Sequence, residues 1–161
     1  MEIRIRDSRI ERTKTDLLVL PVREKRVDAP EIAALDRRLK GHLRAQIERN
    51  KFTGAEGSAL LYPSGGMLPA NQILLVGMGS ASENALDSWR KAGARARKEA
   101  AAHGAEEIAV FFSPERDSDV AAAALVEGAL LAGYQFNKYR SNSKAADQLK
   151  SLTLFRPGLK T

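Results

Sequence analysis

The 161-residue sequence contains no cysteine. That excludes a disulfide framework, a thiolate nucleophile and every sulfur-ligated metal site. It fits a reducing compartment. Histidine is nearly as scarce. His42 and His103 are the only two, far apart, and neither has a second histidine or an acidic ligand at metal-binding spacing. A surface or packing role is expected for both. Aromatic residues make up 6% of the chain, and none interleaves the basic stretches as stacking side chains do in single-strand binders. No apolar run is long enough to span a bilayer. The longest, Ala121 to Gly133, is interrupted by Glu127. The opening Met1-Glu2-Ile3-Arg4-Ile5-Arg6 alternates charge with isoleucine and offers no signal-peptide core. A cytoplasmic protein without a membrane partner is the expectation.

What is present reads as an ordinary globular chain, 43% hydrophobic and 29% charged. At about 150 residues per domain its length fits one domain, 1–161. Glu2–Arg6 alternates with period two, an edge-like strand. Asp16–Val22 is a continuous apolar run, the pattern of a doubly covered strand, with Pro21 expected at its end. Pro30 opens a helix that continues to Arg49, with Ile32, Leu35, Leu39, Leu43 and Ile47 on one face. Ser58–Tyr62, Ile73–Gly77, Glu107–Phe112 and Ser151–Phe155 read as further strands. A helix from about Asn84 to His103 carries Leu86, Trp89, Gly93, Ala96 and Ala100 inward, with Gly104 just past its end. The helix Val120–Phe136 is apolar nearly all round and is expected to be the most buried, with Leu130 in the core. Strands alternating with helices predict an α/β three-layer sandwich, a mixed and mostly parallel sheet with helices on both faces.

Chemistry-bearing patterns are few. Glu127 lies on an apolar helix, where a paired or snorkelling carboxylate is expected. Gly77-Met78-Gly79-Ser80 follows a strand and precedes a helix, as a phosphate cradle would, but lacks a third glycine. A plain turn is the expectation there and at Ser64-Gly65-Gly66. The chain holds 26 Lys+Arg against 20 Asp+Glu, a net charge of +6. Arg90, Lys91, Arg95, Arg97 and Lys98 crowd into one helix without an intervening acid, and Lys91, Arg95 and Lys98 share a face. They are the candidate nucleic-acid-binding residues. A solvated helix face is the simpler alternative. No catalytic, cofactor-binding or metal-binding residue emerges.

Several segments, taken in order, are similar to one family. Thr15–Val22 resembles the first core strand of the N-terminal domain of the leucyl aminopeptidase family. Ala34-Leu35-Asp36, Phe52-Thr53-Gly54 running to Gly57, and Leu68-Pro69-Ala70 leading into Ile73–Gly79 resemble its following segments. Glu127-Gly128-Ala129-Leu130-Leu131-Ala132-Gly133-Tyr134-Gln135-Phe136-Asn137-Lys138-Tyr139 is similar to the helix and exit segment that closes that domain. The resemblance implies a macro-domain-like fold and a non-catalytic role, structural, oligomer-related or regulatory. It implies that residues from about 137 to 161 lead toward a C-terminal catalytic domain. In the family that domain binds two divalent metals, zinc or manganese, and removes N-terminal residues from peptides. None of its metal-binding motifs is found in this chain. Other subunits of a homo-oligomer, a hexamer in the family, are implied partners.

Two other functions are compatible with the sequence. Some bacterial family members bind DNA, and two basic helices, the one carrying Arg90 to Lys98 and the one with six basic residues between Asp36 and Lys51, would be the footprint of weak, salt-sensitive binding. The macro-domain relationship raises nucleotide or ADP-ribose binding. Against it, Arg23-Glu24-Lys25-Arg26 follows the early core strand, where macro domains commonly place asparagines. No specific ADP-ribose site is expected.

Overall fold

The computed structural model describes residues 1–80, 85–113, 117–139 and 148–156, with 135–139 described by backbone alone. Six strands form one sheet: β1 (Glu2–Arg6), β2 (Leu17–Arg23), β3 (Ala59–Pro63), β4 (Gln72–Gly79), β5 (Glu107–Phe111) and β6 (Ser151–Phe155). Their spatial order is β1-β6-β5-β2-β4-β3. All pairs are parallel except β3 with β4. Four helices complete the described fold: α1 (Pro30–Arg38), α2 (His42–Arg49), α3 (Ala85–Ala102) and α4 (Asp119–Tyr139). The architecture is the expected mixed, mostly parallel α/β sandwich. The expected helix start at Asn84 and, in the expected exit segment, residues 140–147 and 157–161 lie outside the described residues.

The period of two sorts the inner strands onto two faces. Leu18, Leu20, Ile73, Leu75 and Phe155 pack with the α1 and α2 stripe. Leu17, Val19, Leu74, Val76 and Val110 pack with α3 and α4. Asp16 ties the amino ends of two strands together. Its Oδ2 accepts the amides of Glu106 and Glu107 at 2.9 and 3.0 Å, and its Oδ1 accepts the Asn71 side-chain amide at 3.2 Å.

Three expectations need correction. The helix predicted from Pro30 to Arg49 is two helices. Lys40 and Gly41 take positive φ of 55° and 84°, which breaks the ladder. The Asp36 carboxylate then accepts the amide of Arg44 at 2.9 Å, acting as the N-cap that Gly41 lacks. The stripe survives the break: Ile32, Leu35, Leu39, Leu43 and Ile47 are all buried.

Pro21 lies inside β2, not at its end. β5 pairs only with Leu17–Val19, whereas β4 pairs along the whole strand. At Pro21 the strand therefore has a neighbour on one side only, a position proline tolerates.

The third correction concerns α4. Leu130, Leu131 and Tyr134 are 47%, 54% and 69% exposed, and Val120 is exposed as well. At 100° per residue they fall with Ala123 and Glu127 on one outward stripe. The inward stripe is built of Ala121, Ala124, Leu125, Gly128 and Ala129. A Cβ on Gly128 would strike the Arg90 carbonyl oxygen of α3, and one on Gly93 would strike the Leu125 carbonyl oxygen of α4. The two helices meet backbone to backbone through these glycines. Small residues win the inner face because they permit that approach, and the large ones are left outside. Ser118 Oγ caps α4 by accepting the Ala121 amide at 3.1 Å, and Gly104, at φ 66° just past α3 as expected, lets Ala105 donate back to Ala100 at 2.9 Å.

Candidate functional site

The chain crosses from β2 through α1 and α2 to β4 on one side, and returns through α3 to β5 on the other. A cleft opens at the carboxyl ends of these strands, where such sheets characteristically bind ligands. Its volume is about 880 Å³. Val22, Met78, Trp89 and Phe111 supply apolar wall, and Arg23 ends β2 at its edge.

Arg23 is the unusual residue. Its Nη1 is buried without a hydrogen-bond partner. Its guanidinium carbon lies 5.9 Å from the centroid of Trp89, a cation–π arrangement. Trp89 in turn stacks on Phe112, with centroids 4.9 Å apart and planes 19° from parallel. The sequence marks Trp89 only as an inward helix position and Arg23 only as following the early core strand, neither as a site residue. The available signal was a charged residue closing a buried strand at the carboxyl edge of the sheet.

The glycine-bearing candidates are committed elsewhere. Gly77 and Gly79 belong to β4 and not to a turn after it. Gly77 donates its amide to Ser58 at 2.8 Å and Gly79 to Gly54 at 2.9 Å. A side chain at Gly77 would meet the Ala55 carbonyl and the Ser58 hydroxyl. These amides hold the 54–58 loop. Ser64 is buried at the opposite end of β4, its hydroxyl donating to Ala70 at 2.5 Å.

The five basic candidates all lie on α3, in different settings. Arg90 pairs with Glu127 of α4 at 3.1 Å, the partner expected for that carboxylate. Lys91 lies between Glu56 and Asp87 at 2.9 and 3.0 Å. The hydrogen bond to Glu56, then that to Asp87, holds its ammonium pKa above the ordinary lysine value. Arg95 pairs with Glu99 at 2.9 Å and reaches the Gly57 carbonyl at 3.4 Å. Arg97 is buried, 9% exposed, with Nη1 donating to the Met1 sulfur at 3.0 Å. Gly133 lies beneath its guanidinium, where a Cβ would collide with it. Lys98 is exposed. The structure thus leaves Lys98 facing solvent and engages the other four with neighbours.

His103 contacts Glu99 at 3.5 Å, and His42 begins α2 on the other face of the sheet. No group of three or more His, Asp or Glu side chains among the described residues is placed to hold a metal ion. No helix among them is long and apolar enough to cross a membrane.

Comparison with known proteins agrees with this geometry. The profile of the cytosol aminopeptidase family, N-terminal domain, matches residues 19–143. A probable cytosol aminopeptidase of Roseiflexus castenholzii is 35% identical over 151 residues, covering 90% of this chain and 28% of the relative. One from Syntrophotalea carbinolica is 31% identical over 135 residues, covering 81% of this chain and 27% of the relative. The chain therefore spans less than a third of these relatives' length. Among solved structures, a mutant tomato leucine aminopeptidase superposes with a TM-score of 0.82 at 26% identity, covering 100% of this chain and 33% of that one. A macrodomain mutant of Oceanobacillus iheyensis superposes at 0.66 with 12% identity, covering 96% of this chain and 84% of that one, a likeness of fold alone.

Proposed function

Because the chain belongs to the cytosol aminopeptidase family, as its N-terminal domain, we propose that residues 1–161 form the non-catalytic domain of a metal-dependent leucyl aminopeptidase. The domain docks through α4 against the catalytic part of that enzyme. The observation that carries the reading is the outward stripe of Leu130, Leu131 and Tyr134. Large apolar side chains aligned on one exposed face mark an interaction surface. The length of the relatives, which continue well beyond the matched region, supports the catalytic part as the occupant. In this reading the two divalent metals, zinc or manganese, and the peptide-cleaving residues belong to that further part. The segment 137–161 leads toward it, and the assembled enzyme is a cytoplasmic homo-oligomer.

The purified chain is expected to release no amino acid from aminoacyl substrates with zinc, manganese or cobalt added. A chimera joining it to the catalytic portion of the Roseiflexus relative is expected to be active. Metal-dependent turnover by the chain alone overturns the proposal.

A further inference from the structure

A guanidinium with a buried, unpartnered N–H is held at a free-energy cost, because desolvation is not repaid by a hydrogen bond. Arg23 is in that state at the edge of an 880 Å³ cleft. Trp89 beneath it is 4% exposed and braced by Phe112, so the guanidinium rests on a rigid platform. A planar fork so placed keeps its geometry for two-point recognition of a carboxylate or phosphate. The cleft's size falls within the range of about 300–1,000 Å³ usual for small-molecule sites, and Val22, Met78 and Phe111 give it apolar wall.

The surrounding charges limit what fits. Arg9, Arg23 and Arg26 line the cleft, but so do Glu11, Glu24, Glu31 and Asp117. Three cations against four carboxylates do not favour a diphosphate. They suit a ligand with a single anionic group directed at Arg23. The amides of Gly77 and Gly79, which would have served a diphosphate, are bound to the 54–58 loop.

We propose that this cleft is a binding site for a small molecule bearing one oxyanion, held by Arg23, and a flat apolar body laid against the wall of Pro21, Val22 and Phe111, with Trp89 beneath Arg23 as the support of the guanidinium. The site is independent of the α4 docking face and of the aminopeptidase reading.

Trp89 is the only tryptophan in the chain, so its fluorescence reports on the cleft without a label. The probes are benzoate and phenyl phosphate, which share a ring and differ in oxyanion, with ADP-ribose as the diphosphate control. Benzoate, phenyl phosphate or both are expected to change the emission saturably at or below about 10 mM. Which of the two does so identifies the oxyanion's source. Arg23→Gln should abolish the response while leaving the melting temperature unchanged or raised, since it removes a buried N–H that has no hydrogen-bond partner. Arg23→Lys, which keeps the charge and loses the fork, should weaken binding about tenfold and serves if the glutamine variant does not fold. Three results overturn the proposal: no saturable response to either ring probe, a response unaltered in both variants, or tighter binding of ADP-ribose than of both.

Discussion

The two helical layers on either side of the sheet bury their inner faces with opposite kinds of residue. The α1–α2 layer uses one row of large aliphatics, Ile32, Leu35, Leu39, Leu43 and Ile47, all buried. The α3–α4 layer turns mainly glycine and alanine toward the protein, with Trp89 and Leu125 among them, and leaves Leu130, Leu131 and Tyr134 in solvent. The first layer is finished: its apolar stripe and its burial coincide. The second is not, because α4 has a second apolar stripe with nothing against it among the described residues. Mean apolarity is thus a poor guide to burial. Residue size decides which face turns inward when two helices approach backbone to backbone.

Substitutions can break or sharpen this contrast. Leu35→Ala should lower stability by about 2–5 kcal/mol in denaturant melts, as expected for a fully buried leucine. Leu130→Ala should cost no more than about 0.5 kcal/mol, since it acts on an exposed position. Equal costs would dissolve the distinction between the layers. Gly128→Ala is the next largest effect. Helix propensity favours alanine by about 1 kcal/mol, but the new methyl meets the Arg90 carbonyl of α3. The clash should win, with a net loss of about 1–3 kcal/mol, and a stabilised variant would show that α3 and α4 do not meet there. Asp36→Ala removes the cap on α2 and should cost about 0.5–2 kcal/mol, without moving a signal from α4.

The smallest effect concerns nucleic acid. Any duplex DNA binding by Arg90, Lys91, Arg95 and Lys98 should be weak and indifferent to sequence, with Arg97 withheld by its burial. It should fall with salt at a log–log slope of roughly −3 to −4 for three or four phosphate contacts. Fluorescence titration of two unrelated duplexes at low and physiological salt checks this. Selective binding that survives physiological salt would make α3 a reading surface.

The parts of the fold that sequence made legible are those where one local rule operates. Period two in Glu2–Arg6 and short apolar runs elsewhere placed the six strands, and the three- and four-residue stripe marked the correct residues of α1 and α2. The break between them escaped because Leu39 and Leu43 keep the stripe in phase across Lys40 and Gly41. The distant cap by Asp36 is likewise invisible to local pattern. Leu130 was misplaced because contact between α3 and α4 depends on paired glycines, Gly93 and Gly128, in separate helices. The cleft was legible least of all. Arg23 and Trp89 lie far apart in sequence and meet only through the crossover of β2, β4 and α3. No spacing rule links them.

The central claim is that the outward stripe of α4 is an interface with the catalytic part of an aminopeptidase. The most direct measurement uses the chimera with the Roseiflexus catalytic portion, comparing wild type with Leu131→Asp and Tyr134→Asp combined. Melting of the isolated chain serves as the control. The account predicts that the double variant melts within a few degrees of wild type as an isolated chain. In the chimera the same change should lower the peptidase-active, assembled fraction at least tenfold, the equivalent of about 1.4 kcal/mol of lost docking energy. A double variant that assembles and turns over like wild type would contradict it.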